Sequence, residues 1–159
     1  MQDKSNDKKK NPLKKTLVLY TMNEIEGIKS IFDRIPIDLF DQFFVMDNHS
    51  DDGTVEFLEE RDVKVVQQKK PGRTNALIEA VERAVGDIII NLSSDGNEKP
   101  EDIPKILEKF DEGYEMVTAS RFLPDSKVDA EDDKLRIRIF GNKLCAFLVN
   151  SCWGANVTD

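Results

Sequence analysis

One carboxylate in this 159-residue chain lies just beyond a strongly apolar run. The run extends from Ile88 to Leu92, and residues 93–97 read Ser-Ser-Asp-Gly-Asn. A short run rich in β-branched residues predicts a buried strand, which places Asp95 just beyond its carboxyl end. Ligands of open α/β sheets bind in the crevice outside such ends. A carboxylate there, with the amide of Asn97 nearby, suits a divalent cation that carries a phosphorylated ligand, although an ordinary polar turn has the same composition.

Two other polar segments follow predicted strands. Residues 21–24 read Thr-Met-Asn-Glu after a strand at 16–20, and residues 47–54 read Asp-Asn-His-Ser-Asp-Asp-Gly-Thr after a strand at 43–46. If these two strands and the strand at 87–92 are neighbours, the three polar loops converge on one crevice. Within the second loop, Asp51 and Asp52 are expected to be turn and helix-capping groups.

The elements that would position these loops alternate along the chain. Hydrophobic periodicity predicts strands at 16–20, 43–46, 63–66, 87–92 and 115–119, and helices at 24–34, 54–61, 73–85, 104–110 and 135–153. This alternation predicts an α/β fold with a mostly parallel sheet and helices on both faces. On the last helix, burial is expected for Cys145, Cys152, Phe147 and Trp153, with both thiols reduced.

Charge and hydropathy narrow the class of protein. A formal net charge of −8 argues against a nucleic-acid binder. Residues 1–15 hold six lysines and two aspartates, which predicts a basic, disordered tail, with contact to anionic lipid headgroups as the alternative. Residues 16–159 then form one domain with a real core. No run resembles a signal peptide or a membrane span, so we expect a cytoplasmic protein, with peripheral binding to the cytoplasmic membrane face as an alternative.

Several familiar sites have no support in the sequence. No Gly-x-Gly-x-x-Gly follows the first strand, and no Gly-x-x-x-x-Gly-Lys-[Ser/Thr] occurs, which argues against classical dinucleotide binding and against a P-loop. The single histidine, His49, has no serine or cysteine partner at a recognisable spacing. A hydrolytic triad is therefore not indicated.

Taken together, the polar segments resemble those of family 2 glycosyltransferases, which have the Rossmann-like GT-A fold. The most similar subgroup contains the dolichyl-phosphate mannose synthases and other polyprenyl-phosphate glycosyltransferases. The resemblance runs from Leu17 to Asp159 and depends on six segments in the family's order. They are residues 21–24, residues 47–54, Gly72 with Asn75 and Ala76, Asp95-Gly96-Asn97 with residues 100–104, Ala119-Ser120-Arg121, and the stretch from Phe140 to Thr158-Asp159.

The resemblance implies a UDP- or GDP-linked sugar donor and an inverting, metal-dependent transfer to a polyprenyl or dolichyl phosphate or a glycan. A lipid phosphate is already an anion at neutral pH, so it needs no strong general base. Asp95 and Asn97 are the implied ligands of Mg²⁺ or Mn²⁺, and Asp95, Arg121 and Asp159 are the implied catalytic residues. The implied donor-binding residues are Thr21, Asn23, Glu24, Asp47, Ser50, Gly72, Arg73, Ser93 and Ser94.

The chain departs from the family pattern at three places. Ser93 stands where the family has the first aspartate of Asp-x-Asp, so metal affinity should be lower. Tyr20 and Met22 replace a proline and a tyrosine, which leaves the base open. The chain stops at Thr158-Asp159, where family members continue, so we expect a C-terminally short domain.

Two other functions therefore stay open. The first is a non-catalytic or truncated nucleotide-sugar-binding domain, suggested by Ser93 and the early stop. The second is a nucleotidyltransferase on a similar sheet, which would normally have a cationic, glycine-rich loop directly after the first strand. Residues 21–27 contain no lysine or arginine, so this second alternative has less support.

Overall fold

The protein is described from a computed structural model over residues 12–120, 133–154 and 157. Most of the predicted basic tail, residues 1–11, lies outside this range, whereas Lys15 already belongs to the first strand. The chain divides into two compact units, residues 1–103 and 104–159, which are taken separately below.

The first unit contains a four-stranded parallel sheet with the order β3-β2-β1-β4. Its strands are β1 (Lys15–Thr21), β2 (Gln42–Asp47), β3 (Val65–Gln67) and β4 (Ile88–Ser93). The helices between them are α1 (Ile25–Ile31), α2 (Thr54–Glu59) and α3 (Arg73–Arg83), with 3-10 turns at Phe32–Arg34, Ile37–Leu39 and Pro100–Asp102. The predicted parallel α/β sheet is thereby confirmed.

Strand register brings the three polar loops to one edge of the sheet. Tyr20 of β1 lies opposite Met46 of β2 and Ser93 of β4, and Thr21 lies opposite Asp47. Because the three neighbouring strands are parallel, the segments that follow them all leave at the same edge. The predicted convergence of these loops is thus a property of the fold.

Both faces of the sheet are covered. Val18, Phe44 and Met46 form a buried cluster with Ala80 of α3 on one face. Leu17, Leu19 and Val45 alternate with them along the strands, so they point to the opposite face, and they too are fully buried. Ile28 and Ile31 of α1, with Leu58 of α2, are also completely buried. Apolar burial of this extent holds the strand ends, and hence the loops, in place.

The second unit contains most of α4 (Ile103–Asp111) and all of α5 (Asp133–Trp153). Helix α5 continues through Gly141 without a break. Among the described helices, none combines the length and the apolar character needed to cross a bilayer.

Two expectations for this second unit were wrong. Residues 115–119 do not form a strand, and Met116 is 83% exposed. A strand obtains its backbone hydrogen bonds from a neighbour, and this segment has only Val117 and Thr118 as strong strand formers.

The side chains expected to be buried on α5 are exposed: Phe147, Trp153 and both cysteines, which are free thiols. An apolar helix predicts burial only where another surface packs against it, and the sequence of the helix does not supply that surface.

Candidate functional site

A cavity of about 320 Å³ opens beyond the carboxyl ends of β1 and β4. Five of the predicted site residues line it: Glu24, Arg73, Ser93, Ser94 and Asp95. Its other lining residues are Tyr20, Met22, Leu77, Asn91, Leu92 and Glu98. The cavity thus combines carboxylates, one guanidinium and an apolar wall, at the place where ligands of parallel α/β sheets bind.

The loop after β4 presents Asp95 to solvent. The backbone N–H of Asn97 donates to Asp95 Oδ1 at 3.0 Å, and Gly96 has a left-handed φ of +78° that allows this turn. Among the described residues this is the only hydrogen bond to the Asp95 carboxylate. Its second oxygen is therefore available to an ion or a ligand.

The two serines before Asp95 have different tasks. Ser94 is fully buried, and both its amide and its hydroxyl donate to the carbonyl of Tyr20, which fastens the end of β4 to β1. Ser93 is half-buried, and its backbone N–H donates to Glu98 Oε2 at 2.8 Å. The loop therefore turns back, and the Glu98 side chain lies at the carboxyl end of β4, where the loop begins.

Helix α1 packs directly against this loop at Gly27. A Cβ at that position would lie 2.3 Å from the carbonyl oxygen of Ser94 and 2.9 Å from the carbonyl carbon of Asp95. Both are backbone atoms that cannot rotate away, so only glycine allows the close approach. A lone glycine within a helical pattern is the sequence signal that can reveal such a contact.

The loops after β1 and β2 are bound to each other by side-chain hydrogen bonds. The backbone N–H of Asn23 donates to Ser50 Oγ at 2.9 Å, and the backbone N–H of Asp51 donates to the side-chain Oδ1 of Asn23 at 2.8 Å. Asn23 adopts a left-handed φ of +56°, which asparagine tolerates better than most residues. Ser50 in turn donates from both its amide and its hydroxyl to Asp47.

Several of the predicted site residues do not line the cavity. Asp47 is fully buried, with hydrogen bonds from Ser50 to both of its carboxylate oxygens. Thr21 is 6% exposed, and its hydroxyl has no partner among the described residues. Neither residue lines the cavity, and the same is true of Asn23, Ser50, Gly72 and Asn97.

Asp52 joins the starts of two helices. Its carboxylate accepts the amide of Ile25, the first residue of α1, and both the amide and the hydroxyl of Thr54, the first residue of α2. Burial tends to raise the pKa of Asp52, but these hydrogen bonds outweigh it and hold the pKa below its usual value. The N-cap residues of α1 and α2 are Glu24 and Gly53, so Asp52 is not itself a helix cap as predicted, but it accepts the first backbone N–H of each helix. The backbone N–H of Glu24 donates to Thr54 Oγ1 beside it.

Tyr20 lines the cavity together with Asn91 and Arg73. The hydroxyl of Tyr20 donates to Asn91 Oδ1 at 2.8 Å. Burial raises the pKa of Tyr20 to about 12, although the positive charge of Arg73 acts in the opposite direction. Arg73 begins α3 directly after Gly72, whose φ of +106° excludes most other residues. The cavity is therefore lined by a guanidinium as well as by carboxylates.

The donor atoms around the cavity fit a hard divalent ion. The groups at the β4 end are carboxylate oxygens of Asp95 and Glu98, and Mg²⁺ and Mn²⁺ prefer oxygen ligands. Within the described ranges no group of three or more His, Cys, Asp or Glu side chains could hold a metal ion. Magnesium commonly binds proteins through one or two carboxylates and completes its shell with phosphate oxygens and water. An ion that arrives with a phosphorylated ligand thus suits this site.

Two predicted catalytic residues, Arg121 and Asp159, lie outside the described residues.

The chain is similar in sequence to known glycosyltransferases. The model of the family described as "Glycosyl transferase family 2" matches residues 17–157. A dolichol-phosphate mannosyltransferase of Pyrococcus furiosus is 30% identical over 125 residues, which cover 74% of this chain and 36% of that protein. An undecaprenyl-phosphate 4-deoxy-4-formamido-L-arabinose transferase of Shewanella sediminis is 32% identical over 98 residues, 61% of this chain and 27% of that protein.

Solved structures agree with this assignment. Glucosyl-3-phosphoglycerate synthase of Mycobacterium tuberculosis, in complex with UDP, superposes with a TM-score of 0.57 at 27% identity, covering 62% of this chain and 40% of that one. The same enzyme has been crystallised with Mg²⁺ and UDP, and with Mn²⁺, UDP and glucosyl-3-phosphoglycerate. The chain described here spans less than half the length of each of these proteins.

Proposed function

Because the chain belongs to glycosyl transferase family 2, we propose that it binds a nucleotide-diphosphate sugar and transfers the sugar to an acceptor. The observation that carries this proposal is the cavity at the carboxyl edge of β1 and β4, which Asp95 and Arg73 line together with apolar side chains. A base or sugar can contact the apolar wall, while a diphosphate needs positive charge from a cation and from the guanidinium. The UDP complexes of the M. tuberculosis synthase support a nucleotide at this fold.

The reaction breaks the bond between the anomeric carbon and the donor diphosphate, and the electron pair leaves with the diphosphate. An acceptor oxygen forms the new bond to that carbon from the opposite face, which inverts its configuration. When bound, Mg²⁺ or Mn²⁺ supplies positive charge to the departing diphosphate without any proton transfer. Asp95 would hold that ion, and Arg73 lines the same cavity and can pair with phosphate oxygens. Arg121 and Asp159 remain proposed participants.

For the acceptor we propose a polyprenyl phosphate at the cytoplasmic face of a membrane. The P. furiosus and S. sediminis relatives are named for dolichol-phosphate and undecaprenyl-phosphate transfer. A phosphate monoester is already an anion at neutral pH, so its oxygen can attack with little general-base catalysis. His49, the single histidine, is not needed for this role, since its ring bonds to the carbonyl of Gln68 and does not line the cavity.

Transfer can be tested with UDP- and GDP-linked hexoses, Mn²⁺ and a short-chain polyprenyl phosphate in detergent. The proposal predicts a lipid-linked sugar by mass spectrometry and one equivalent of nucleoside diphosphate per product. Asp95→Asn is the matched negative control, since it removes one charge and changes no volume.

The non-catalytic alternative has a separate signature in the same assay. If the nucleotide binds but neither lipid-linked sugar nor free sugar accumulates with any donor, the chain binds nucleotide sugars and the transfer proposal fails. If no nucleotide binds to a folded sample, both the donor site and the transfer reaction are refuted.

A further inference from the structure

Glu98 is a cavity carboxylate whose role the sequence patterns did not indicate. It lies three residues beyond Asp95, and its Oε2 accepts the backbone N–H of Ser93 at 2.8 Å. Gly96 has a left-handed backbone, and the backbone N–H of Asn97 donates to Asp95; together they form the turn that returns the Glu98 side chain to the end of β4. Both carboxylates line the same cavity. The side chain is therefore held at the last residue of β4, although it comes from five residues further along the chain.

We propose that Glu98 is the second carboxylate ligand of the divalent ion that accompanies the donor diphosphate, acting together with Asp95. This inference rests on the function proposed above. Position 93, the last residue of the strand, is a serine and brings no charge to the site. Glu98 places a carboxylate beside that same backbone position, so its charge compensates for the neutral residue there.

The geometry leaves one carboxylate oxygen open on Asp95 and one on Glu98. Among the described residues, one oxygen of Asp95 accepts the backbone N–H of Asn97, and one oxygen of Glu98 accepts the backbone N–H of Ser93. The remaining two oxygens have no protein donor within those residues. Carboxylates fixed by a backbone amide through one oxygen and open at the other are well prepared to bind a metal.

Two other candidates for the second ligand are less well placed. Asn97 was the sequence-based choice, but it does not line the cavity, and its described hydrogen bond is made by its backbone. Glu24 does line the cavity, but only its amide is held, by Thr54 Oγ1, and no described donor fixes its carboxylate. Two protein carboxylates with phosphate oxygens and water form a usual shell for Mg²⁺, and a third carboxylate is not required.

The test measures the metal itself. Mn²⁺ is titrated into the full chain saturated with UDP, and free Mn²⁺ is read from its electron paramagnetic resonance signal. Glu98→Gln should weaken Mn²⁺ binding by on the order of tenfold and leave UDP binding in EDTA unchanged. Glutamine can still accept the Ser93 amide, so the loop keeps its turn. Glu60→Gln, at the end of α2 and outside the cavity, is the charge-matched control and should behave as the parent.

A rescue experiment separates a ligand role from a structural one. The double variant Ser93→Asp, Glu98→Gln returns one carboxylate to the strand end and should regain most of the lost Mn²⁺ affinity. Circular dichroism melting would check that each variant remains folded.

Each contrary result has its own meaning. If the parent binds Mn²⁺ with UDP and Glu98→Gln binds it equally well, the role of Glu98 is refuted while the proposed function stands. If Glu98→Gln weakens UDP binding equally in EDTA, Glu98 contacts the nucleotide and is not a metal ligand. If the parent shows no UDP-dependent Mn²⁺ binding, the proposed donor site and the Glu98 inference fail together.

Discussion

At the carboxyl edge of the sheet, the loops after β1 and β2 differ from the loop after β4 in how their polar side chains are bonded. The loops after β1 and β2 are joined to each other by hydrogen bonds, with Asn23, Ser50 and Asp52 each contributing to the connection. The loop after β4 is more open, because Asp95 and Glu98 each accept a single backbone amide among the described residues. A polar group that already has protein partners maintains geometry, whereas a carboxylate with an open oxygen can bind a cation. The loops after β1 and β2 therefore maintain the architecture of the sheet edge, and the loop after β4 carries its ligand chemistry.

The largest expected effect is on the open side. Asp95→Asn removes the charge that would bind the ion, so metal-dependent nucleotide affinity should fall by about 100-fold or more, since the loss of even a supporting partner of a metal ligand costs about 10–100-fold. Affinity in EDTA and thermal stability should stay near the parent values. Equilibrium dialysis with labelled UDP, with Mn²⁺ and with EDTA, measures both affinities. An unchanged ratio between the two would show that Asp95 does not bind the metal.

Gly27→Ala should break the support of the open side. The new methyl would collide with the backbone of Ser94 and Asp95, which we expect to cost about 1–3 kcal/mol of unfolding free energy. It should also weaken metal-dependent UDP binding, because the loop that carries Asp95 must move. Gly141→Ala is the matched control, since a Cβ there meets nothing within 4 Å. That variant should be neutral or slightly more stable, in line with helix propensity. Equal urea midpoints for the two variants would contradict the packing argument.

Asp52→Ala tests the hydrogen-bonded side. It removes the acceptor at the starts of α1 and α2 and should lower the unfolding free energy by about 0.5–2 kcal/mol. Its neighbour Asp51 makes no described side-chain hydrogen bond, so Asp51→Ala should change stability little. Since the folded pKa of Asp52 lies below its ordinary value of 3.8, its contribution should be complete above that pH and disappear as the pH falls through the folded pKa. Thermal melts of both variants between pH 2 and pH 7 would reveal this, and parallel curves would contradict it.

The smallest effect is expected at Tyr20. Tyr20→Phe removes its hydrogen bond to Asn91 and should cost about 0.5–1.5 kcal/mol at neutral pH. The folded chain keeps this phenol protonated to about pH 12, whereas the ordinary pKa is 10.0. The stabilisation from the phenol is therefore complete below pH 10 and is lost between pH 10 and about 12. Denaturant midpoints of parent and variant should converge over that interval, and a constant difference would contradict the assignment.

The sequence allowed the architecture to be predicted where local pattern and topology act together. The apolar runs of β1, β2 and β4 indicate buried parallel strands, and the parallel arrangement brings the segments after them to one edge. Asp95 could be recognised because it lies just beyond the end of such a run. The same reasoning failed at residues 115–119 and for the side chains of α5, because strand pairing and burial depend on a partner surface that a single segment does not encode.

The finer details of the site depend on contacts through space. Nothing in the spacing of Glu98 shows that its side chain turns back to the amide of Ser93. The burial of Asp47 beneath Ser50 is likewise a result of the turn that follows β2, and not of residue type. Gly27 could have been suspected as a glycine within a helix, but its neighbour, the backbone at Ser94, lies 67 positions away in the sequence.

The most direct test of the central claim is a calorimetric titration of the parent chain with UDP and with GDP, first with Mn²⁺ and then with EDTA. We expect one of the two nucleotides to bind with a stoichiometry of one and to lose most of its affinity when the metal is removed. Failure of both nucleotides to bind a folded sample would contradict the donor site, and equal affinity in EDTA would contradict its dependence on a metal.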